Sequence, residues 1–297
     1  MNSWMVSAIV GILLILSSSL FARNKVIYGD DNRLDLFEAT DGLHLQLAQS
    51  TAAQIGNSTF IDDGVSDYYT IKGGTLQSGM NLCADERFAN QTAVARCSGF
   101  LVGPDLLVTA GHCVTKQSDC DGFKWAFDYN VTDEGRPIIS TLLKSSVYSC
   151  VSIVERAQSS SNSDDYALIK LDRPVTDRAP LIVRREGKIG MNTEVVVIGH
   201  PSGLPTKISA GARVRETAFA KYFVTNLDTF GGNSGSAVFD SQTGVVEGIL
   251  VRGENDYVYD YDSRCRRPQQ CTEDGCRGED VTRITNIKAL MKILANN

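Results

Sequence analysis

Three short segments constrain this chain most: Val108-Thr109-Ala110-Gly111-His112-Cys113, Asp165-Tyr166-Ala167-Leu168-Ile169 and Gly231-Gly232-Asn233-Ser234-Gly235-Ser236. Each offers one member of a His, Asp, Ser set. A serine hydroxyl is a weak nucleophile at neutral pH; it needs a neutral imidazole to take its proton and a carboxylate to fix the imidazole's tautomer. The glycines around Ser234 let the backbone turn tightly and point N–H groups at a developing oxyanion. Asp164 competes for the carboxylate role, but Asp165 directly abuts the apolar run Tyr166–Ile169, which favours it. The chain has only three histidines. His44 lies in an alternating stretch and reads as a surface or strand residue. His200, after Val195–Gly199 and before Pro201, reads as a loop residue at a strand end.

The chain resembles the chymotrypsin/trypsin-fold serine endopeptidases, in the secreted bacterial branch that includes the glutamyl endopeptidases. Cys97-Ser98-Gly99-Phe100-Leu101-Val102 leading into Thr109–Cys113 is similar to the family's histidine motif, Asp165–Leu168 to its aspartate motif, and Asp228–Ser236 to the bacterial form of its serine motif. The similarity runs from about Val26 to the C-terminus. It implies His112 as general base, Asp165 as orienting carboxylate, Ser234 as nucleophile, and the N–H groups of Gly232 and Ser234 as an oxyanion hole. It also implies two packed six-stranded antiparallel β-barrels with a C-terminal helix, and a disulfide between Cys97 and Cys113.

The composition agrees with this all-β class. Many short apolar runs punctuated by glycine predict strands, and Ile287, Leu290, Met291 and Leu294 at helical spacing predict a terminal helix. The chain is long enough for a two-lobed domain with a substantial core. The first lobe is expected to extend to about residue 183 and the second to start at about 184. The polar, Gly-rich stretch from Gln49 to about Met80 reads as an insertion over the first barrel, and Ser159–Ser163 as a solvated loop.

Export is expected. Trp4–Leu16 is apolar but shorter than a membrane helix requires, and small residues follow it, so residues 1–22 read as a signal peptide. An uncleaved anchor is the alternative, because the segment lacks a basic start. Residues 23–25 read as a short propeptide, cleavage after Lys25 leaving Val26 at the start of a protease domain spanning 26–297. The eight cysteines, none in a Cys-x-x-Cys pair, suit disulfides in a secreted or periplasmic protein. Cys120 and Cys150 flank the strand-like Phe123, Trp125, Phe127, Tyr129 pattern and are expected to close it. Cys83, Cys265, Cys271 and Cys276 have three possible pairings. The Cys265–Cys276 cluster also has a zinc-knot reading, disfavoured because no histidine is near. No metal or cofactor is called for. A net charge of −6 without a basic block gives no sign of nucleic-acid binding. The expected partners are protein or peptide substrates, with no stable membrane association once the signal is cut.

The resemblance places Asp228, Thr229, Arg252, Gly253 and Glu279 around the pocket for the residue before the scissile bond. Asp228 stands where trypsin-like enzymes hold the acid that pairs with Arg or Lys, with Glu279 as a second acid, so cleavage after Arg or Lys is expected. The glutamyl endopeptidases carry an Asp-Thr pair at the same place, and Arg252 offers an internal counter-charge, so preference for Glu is the alternative. Against it, the histidine of the Glu-specific branch is Leu250 here. Retention of all three site residues argues against a catalytically dead protease-fold binding protein; a scaffold or adhesion role through the long surface loops stays open as an addition to catalysis. The order His, Asp, Ser argues against an α/β-hydrolase esterase.

Overall fold

The computed structural model describes residues 26–159 and 164–296. The signal and propeptide readings therefore lie outside the described residues, as does most of the Ser159–Ser163 stretch. Numbering only barrel strands along the chain, the first barrel comprises β1 (Thr51–Gly56), β2 (Ala95–Gly103), β3 (Leu106–Thr109), β4 (Phe123–Ala126), β5 (Val147–Gln158) and β6 (Asp165–Leu171). They close in the order β5-β6-β3-β2-β1-β4, all antiparallel. The second comprises β7 (Glu194–Gly199), β8 (Lys207–Glu216), β9 (Tyr222–Thr225), β10 (Ala237–Asp240), β11 (Val246–Arg252) and β12 (Glu279–Arg283), closing as β7-β10-β11-β12-β9-β8. Closure leaves neither barrel with a long unpaired edge.

Side-chain alternation explains why these strands read as nearly unbroken apolar runs. On β7, Val195 and Val197 point into the second barrel, whereas Val196 and Ile198 join the core between the barrels. On β2 and β3, Leu101 and Leu107 fill the first barrel while Phe100 and Val108 face that shared core. With both faces covered, period-2 polarity disappears. The helix Lys288–Ala295 follows a 3₁₀ turn and packs Ile287 and Leu290, both fully buried, onto the shared core.

Two segments differ from the sequence reading. The stretch from Gln49 is not wholly an insertion: Thr51–Gly56 is a barrel strand with Ala52, Ala53, Gln54 and Ile55 completely buried. Its small and polar residues give it weak strand character, and pairing on both sides with β2 and β4 supplies what propensity lacks. Beyond it, Phe60–Ile61 and Tyr68–Ile71 form a small sheet with Thr141–Leu143. The alternation around His44 is helical, not strand-like. Gly42–Ala48 is a helix capped by Asp41, whose carboxylate accepts the His44 N–H at 3.0 Å.

The described N-terminal segment runs along the second barrel. Ile27–Tyr28 pairs in parallel with Gln270–Cys271, and Arg33–Asp35 adds to β8 as an outer strand. Val26 and Tyr28 are buried. Four disulfides fasten the loops: Cys83–Cys265, Cys97–Cys113, Cys120–Cys150 and Cys271–Cys276. With Cys271 and Cys276 bonded to each other and Cys265 to Cys83, the cluster has no thiol left to hold zinc.

Candidate active site

His112 follows β3 in a loop fixed from several sides. A Cβ on Gly111 would lie 2.2 Å from the Ala157 carbonyl oxygen and 2.8 Å from that of Tyr166, so only glycine fits beside the histidine. Arg156 Nε donates to the carbonyls of Gly111 at 2.8 Å and Val114 at 2.9 Å, and Cys113 is tied to Cys97. Asp165 opens β6, whose register sets Ala167 opposite Thr109 of β3. Its carboxylate grips the histidine twice: Oδ1 accepts the His112 backbone N–H at 3.0 Å, and Oδ2 lies 2.8 Å from Nδ1. A proton on Nδ1 facing that carboxylate leaves the lone pair on Nε2, the tautomer a general base requires. Asp164 faces the other way, accepting Asn286 Nδ2 at 2.8 Å and lying 3.1 Å from Lys221 Nζ. Strand alternation thus separates the two adjacent aspartates.

Ser234 sits in the turn before β10. Its carbonyl accepts the Ser98 N–H at 2.8 Å and lies 3.6 Å from Cys113 Sγ, one residue past the histidine. Gly235, at φ +91°, would place a Cβ 2.1 Å from the Ser98 carbonyl oxygen; no other residue fits. His112, Asp165 and Ser234 are each 6 % exposed. All three lie along the seam where the barrels touch, the first two on one barrel and the serine on the other.

The backbone around Ser234 is arranged by its carbonyls. Gly231 O accepts the Ser202 N–H at 2.5 Å and Asn233 O the Ser236 N–H at 2.9 Å. In a trans peptide the C=O and N–H point oppositely, so the N–H groups of Gly232 and Ser234 are aimed away from those partners. Among the described residues neither of these two N–H groups has an acceptor. Two such donors side by side suit a developing oxyanion.

The pocket residues divide. Thr229 Oγ1 donates to Glu279 Oε2 at 2.5 Å, and Oε1 accepts the Glu254 N–H at 3.3 Å. The Glu279 carboxylate occupies the space beside Gly253, where a Cβ would lie 2.0 Å from its oxygens. Thr229, Gly253 and Glu279 therefore converge. Asp228 does not join them, contrary to the sequence reading. Its Oδ1 accepts the Tyr28 N–H at 2.7 Å and its Oδ2 the Asn32 N–H at 2.8 Å, fastening the N-terminal segment. Burial pushes its pKa up to about 7, while the two N–H donors pull it down. Arg252 is bonded not to Asp228 but to Asp280, at 2.7 Å.

The remaining histidines belong to the framework. His44 Nε2 lies 3.2 Å from Ser241 O, and His200 Nδ1 lies 3.2 Å from Leu204 O. Burial lowers the His200 pKa to about 3, so its ring is neutral. Cys97, Cys113 and His112 cluster tightly, but both sulfurs are committed to one disulfide, which leaves no thiolate for a metal. Sequence reasoning gave no role to Ser98, Ser202, Arg156 and Asp256, which bond to the backbone of the site. Ser98 lies inside the histidine motif; nothing in the local sequence marks the other three.

Comparison with known proteins places these features in a family. The model of the trypsin-like peptidase domain matches residues 97–249, from the Cys97 disulfide through the serine turn to β11. A glutamyl endopeptidase of Bacillus licheniformis is 26 % identical over 159 residues, covering 51 % of this chain and 48 % of that protein. An uncharacterized protein, y4fB, of Sinorhizobium fredii is 27 % identical over 174 residues, covering 50 % of this chain and 24 % of its own length. The chain thus spans half or less of these curated relatives. A solved Glu endopeptidase in complex with MPD superposes with a TM-score of 0.51 at 14 % identity, covering 91 % of this chain and 98 % of that one, a likeness of fold. With the family model covering just over half of the chain and both barrels in place, the protein belongs to the trypsin-like serine peptidases.

Proposed function

We propose that this chain is an exported serine endopeptidase working through an acyl-enzyme. Ser234 Oγ adds to the scissile carbonyl carbon as its proton passes to His112 Nε2, with Asp165 stabilising the imidazolium. The tetrahedral oxyanion rests on the N–H groups of Gly232 and Ser234. Collapse breaks the C–N bond as His112 protonates the leaving amine, and water then repeats the sequence on the ester. The observation that carries this reading is the double grip of Asp165 on His112, beside a serine turn with two unpartnered N–H donors. Four disulfides fit an oxidising compartment.

For substrate preference we propose Arg or Lys, with Glu279 as the selecting acid. Asp228 is unsuited, because both its oxygens already serve backbone N–H groups. A buried carboxylate beside Gly253 attracts a cationic side chain and repels an anionic one. The Glu-preferring alternative rests on the similarity to a glutamyl endopeptidase; Leu250 and the acid at Glu279 both count against it.

A mixed peptide library incubated with the protein, its Ser234→Ala form and its Glu279→Gln form tests both claims. Cleavage after Arg or Lys is expected, abolished in the first variant and reduced at least 10-fold relative to neutral residues in the second. Cleavage that survives Ser234→Ala overturns the mechanism. A preference unchanged by Glu279→Gln overturns the pocket assignment.

A further inference from the structure

We propose that the hairpin Tyr257–Asp260/Cys265–Pro268 holds the oxyanion-binding N–H of Gly232 in its donating orientation, through Asp256 and Tyr257. The inference rests on the reading of Ser234 as nucleophile. Its starting point is a conformational problem. The Gly231–Gly232 peptide has glycine on both sides, so rotating it by half a turn meets little steric resistance. The flipped peptide would present the Gly231 carbonyl oxygen where the oxyanion must sit, and the site would repel the charge it has to stabilise.

The structure grips Gly231 at both ends. Its N–H donates to Asp256 Oδ2 at 2.9 Å, and its carbonyl accepts the Ser202 N–H at 2.5 Å. Ser202 occupies the left-handed region, φ 53° and ψ 22°, a conformation strained for a non-glycine residue. Its hydroxyl lies 2.5 Å from the Tyr257 hydroxyl, which ties the strained residue to the hairpin. The Tyr257 ring packs against Phe230, at 5.2 Å between centroids, immediately before the glycine pair. The hairpin is itself anchored. Asp260 pairs with Cys265, which is bonded to Cys83, and Gln269 N–H donates to the Asp256 carbonyl at 2.9 Å. Asp256 and Tyr257 are thus positioning residues that act through the peptide.

The test compares Tyr257→Phe, Asp256→Ala and Asp256→Asn with the unaltered protein. Kinetics on a cleaved peptide, affinity for a peptide boronate and thermal unfolding are measured on each. Covalent labelling of Ser234 by a fluorophosphonate is the control: an unaltered protein that neither labels nor turns over refutes the protease reading itself. Given labelling, Tyr257→Phe and Asp256→Ala should lower kcat roughly 10- to 100-fold, part of the 10²–10³ that loss of a whole oxyanion donor costs. KM should stay within about two-fold, and boronate affinity should fall in step with kcat. Asp256→Asn keeps an acceptor for the Gly231 N–H and should recover most of kcat. An unchanged kcat, a loss confined to KM, or an Asn variant no better than Ala would each overturn the proposal.

Discussion

Ser98 is the residue whose removal tests most directly how the two barrels are joined at the site. It is fully buried on β2 of the first barrel, yet its hydroxyl serves two groups of the second: it accepts the His200 N–H at 2.9 Å and donates to Gly232 O at 2.8 Å. Ser98→Ala strips both bonds and leaves Ser98's backbone links to Ser234 O and Thr109 Oγ1 in place. Gly232 is partly exposed, so its carbonyl can turn to water at little cost. His200 is not, and its N–H becomes a buried orphan at about 1–3 kcal/mol. Adding about 0.5–1.5 kcal/mol for the lost bond to Gly232 gives about 1.5–4.5 kcal/mol, or roughly 3–8 °C in Tm for a chain of this size. The measurement is thermal unfolding of Ser98→Ala in a Ser234→Ala background, where self-digestion cannot distort the curve. A shift under about 1 °C would show that the bridge contributes nothing, and the account of Ser98 as the tie between the barrels would fail.

Three further outcomes follow from the geometry. Asp165→Asn keeps one acceptor but sets an amide donor against either the His112 N–H or Nδ1–H, so kcat should drop by about 10³–10⁴ with KM little altered; steady-state kinetics decides, and a loss under ten-fold would contradict the tautomer argument. Replacing Cys97 and Cys113 together opens a loop 16 residues apart and should cost about 3 kcal/mol in urea unfolding, with lower activity because Cys113 adjoins His112. Asp228 titrates near 7 folded and near 3.8 unfolded, so the folded state binds its proton more tightly. Its contribution to stability therefore grows as pH falls from about 7 towards 4 and is flat above 7, by up to about 4 kcal/mol. Asp228→Asn should flatten urea midpoints between pH 5 and pH 8, and an unchanged slope would refute the assignment.

What could be read from the sequence and what could not divide along a physical line. The His112, Asp165 and Ser234 segments are legible because each role imposes needs on its immediate neighbours: a glycine where a Cβ would strike the Ala157 carbonyl, another where it would strike that of Ser98. Those constraints are local, so they leave local marks. Thr51–Gly56 is a strand because of what flanks it in space, and nothing in Thr-Ala-Ala-Gln-Ile-Gly announces that. The alternation around His44 fits a strand as well as a helix, and the Asp41 cap settles it for the helix.

Asp228 shows the limit most clearly. Its position along the chain points to the substrate pocket, but the fate of a carboxylate is decided by whichever donors reach it first. Here they are the N–H groups of Tyr28 and Asn32, about two hundred residues away in sequence. Once those bonds form, Asp228 is tied to the N-terminal segment beside Thr229, and in the proposed pocket the selecting acid is Glu279, which accepts from the Thr229 hydroxyl. The same segment also accepts from the pocket's own elements: Val26 O accepts the Thr229 N–H at 3.2 Å, and the Tyr28 hydroxyl accepts the Gly278 N–H at 2.9 Å, next to Glu279. The proposed pocket would therefore rest on the N-terminal segment as much as on the second barrel. A substitution that loosens Val26–Asn32 should disturb substrate preference before it disturbs the His112–Asp165 pair, both of whose residues belong to the first barrel.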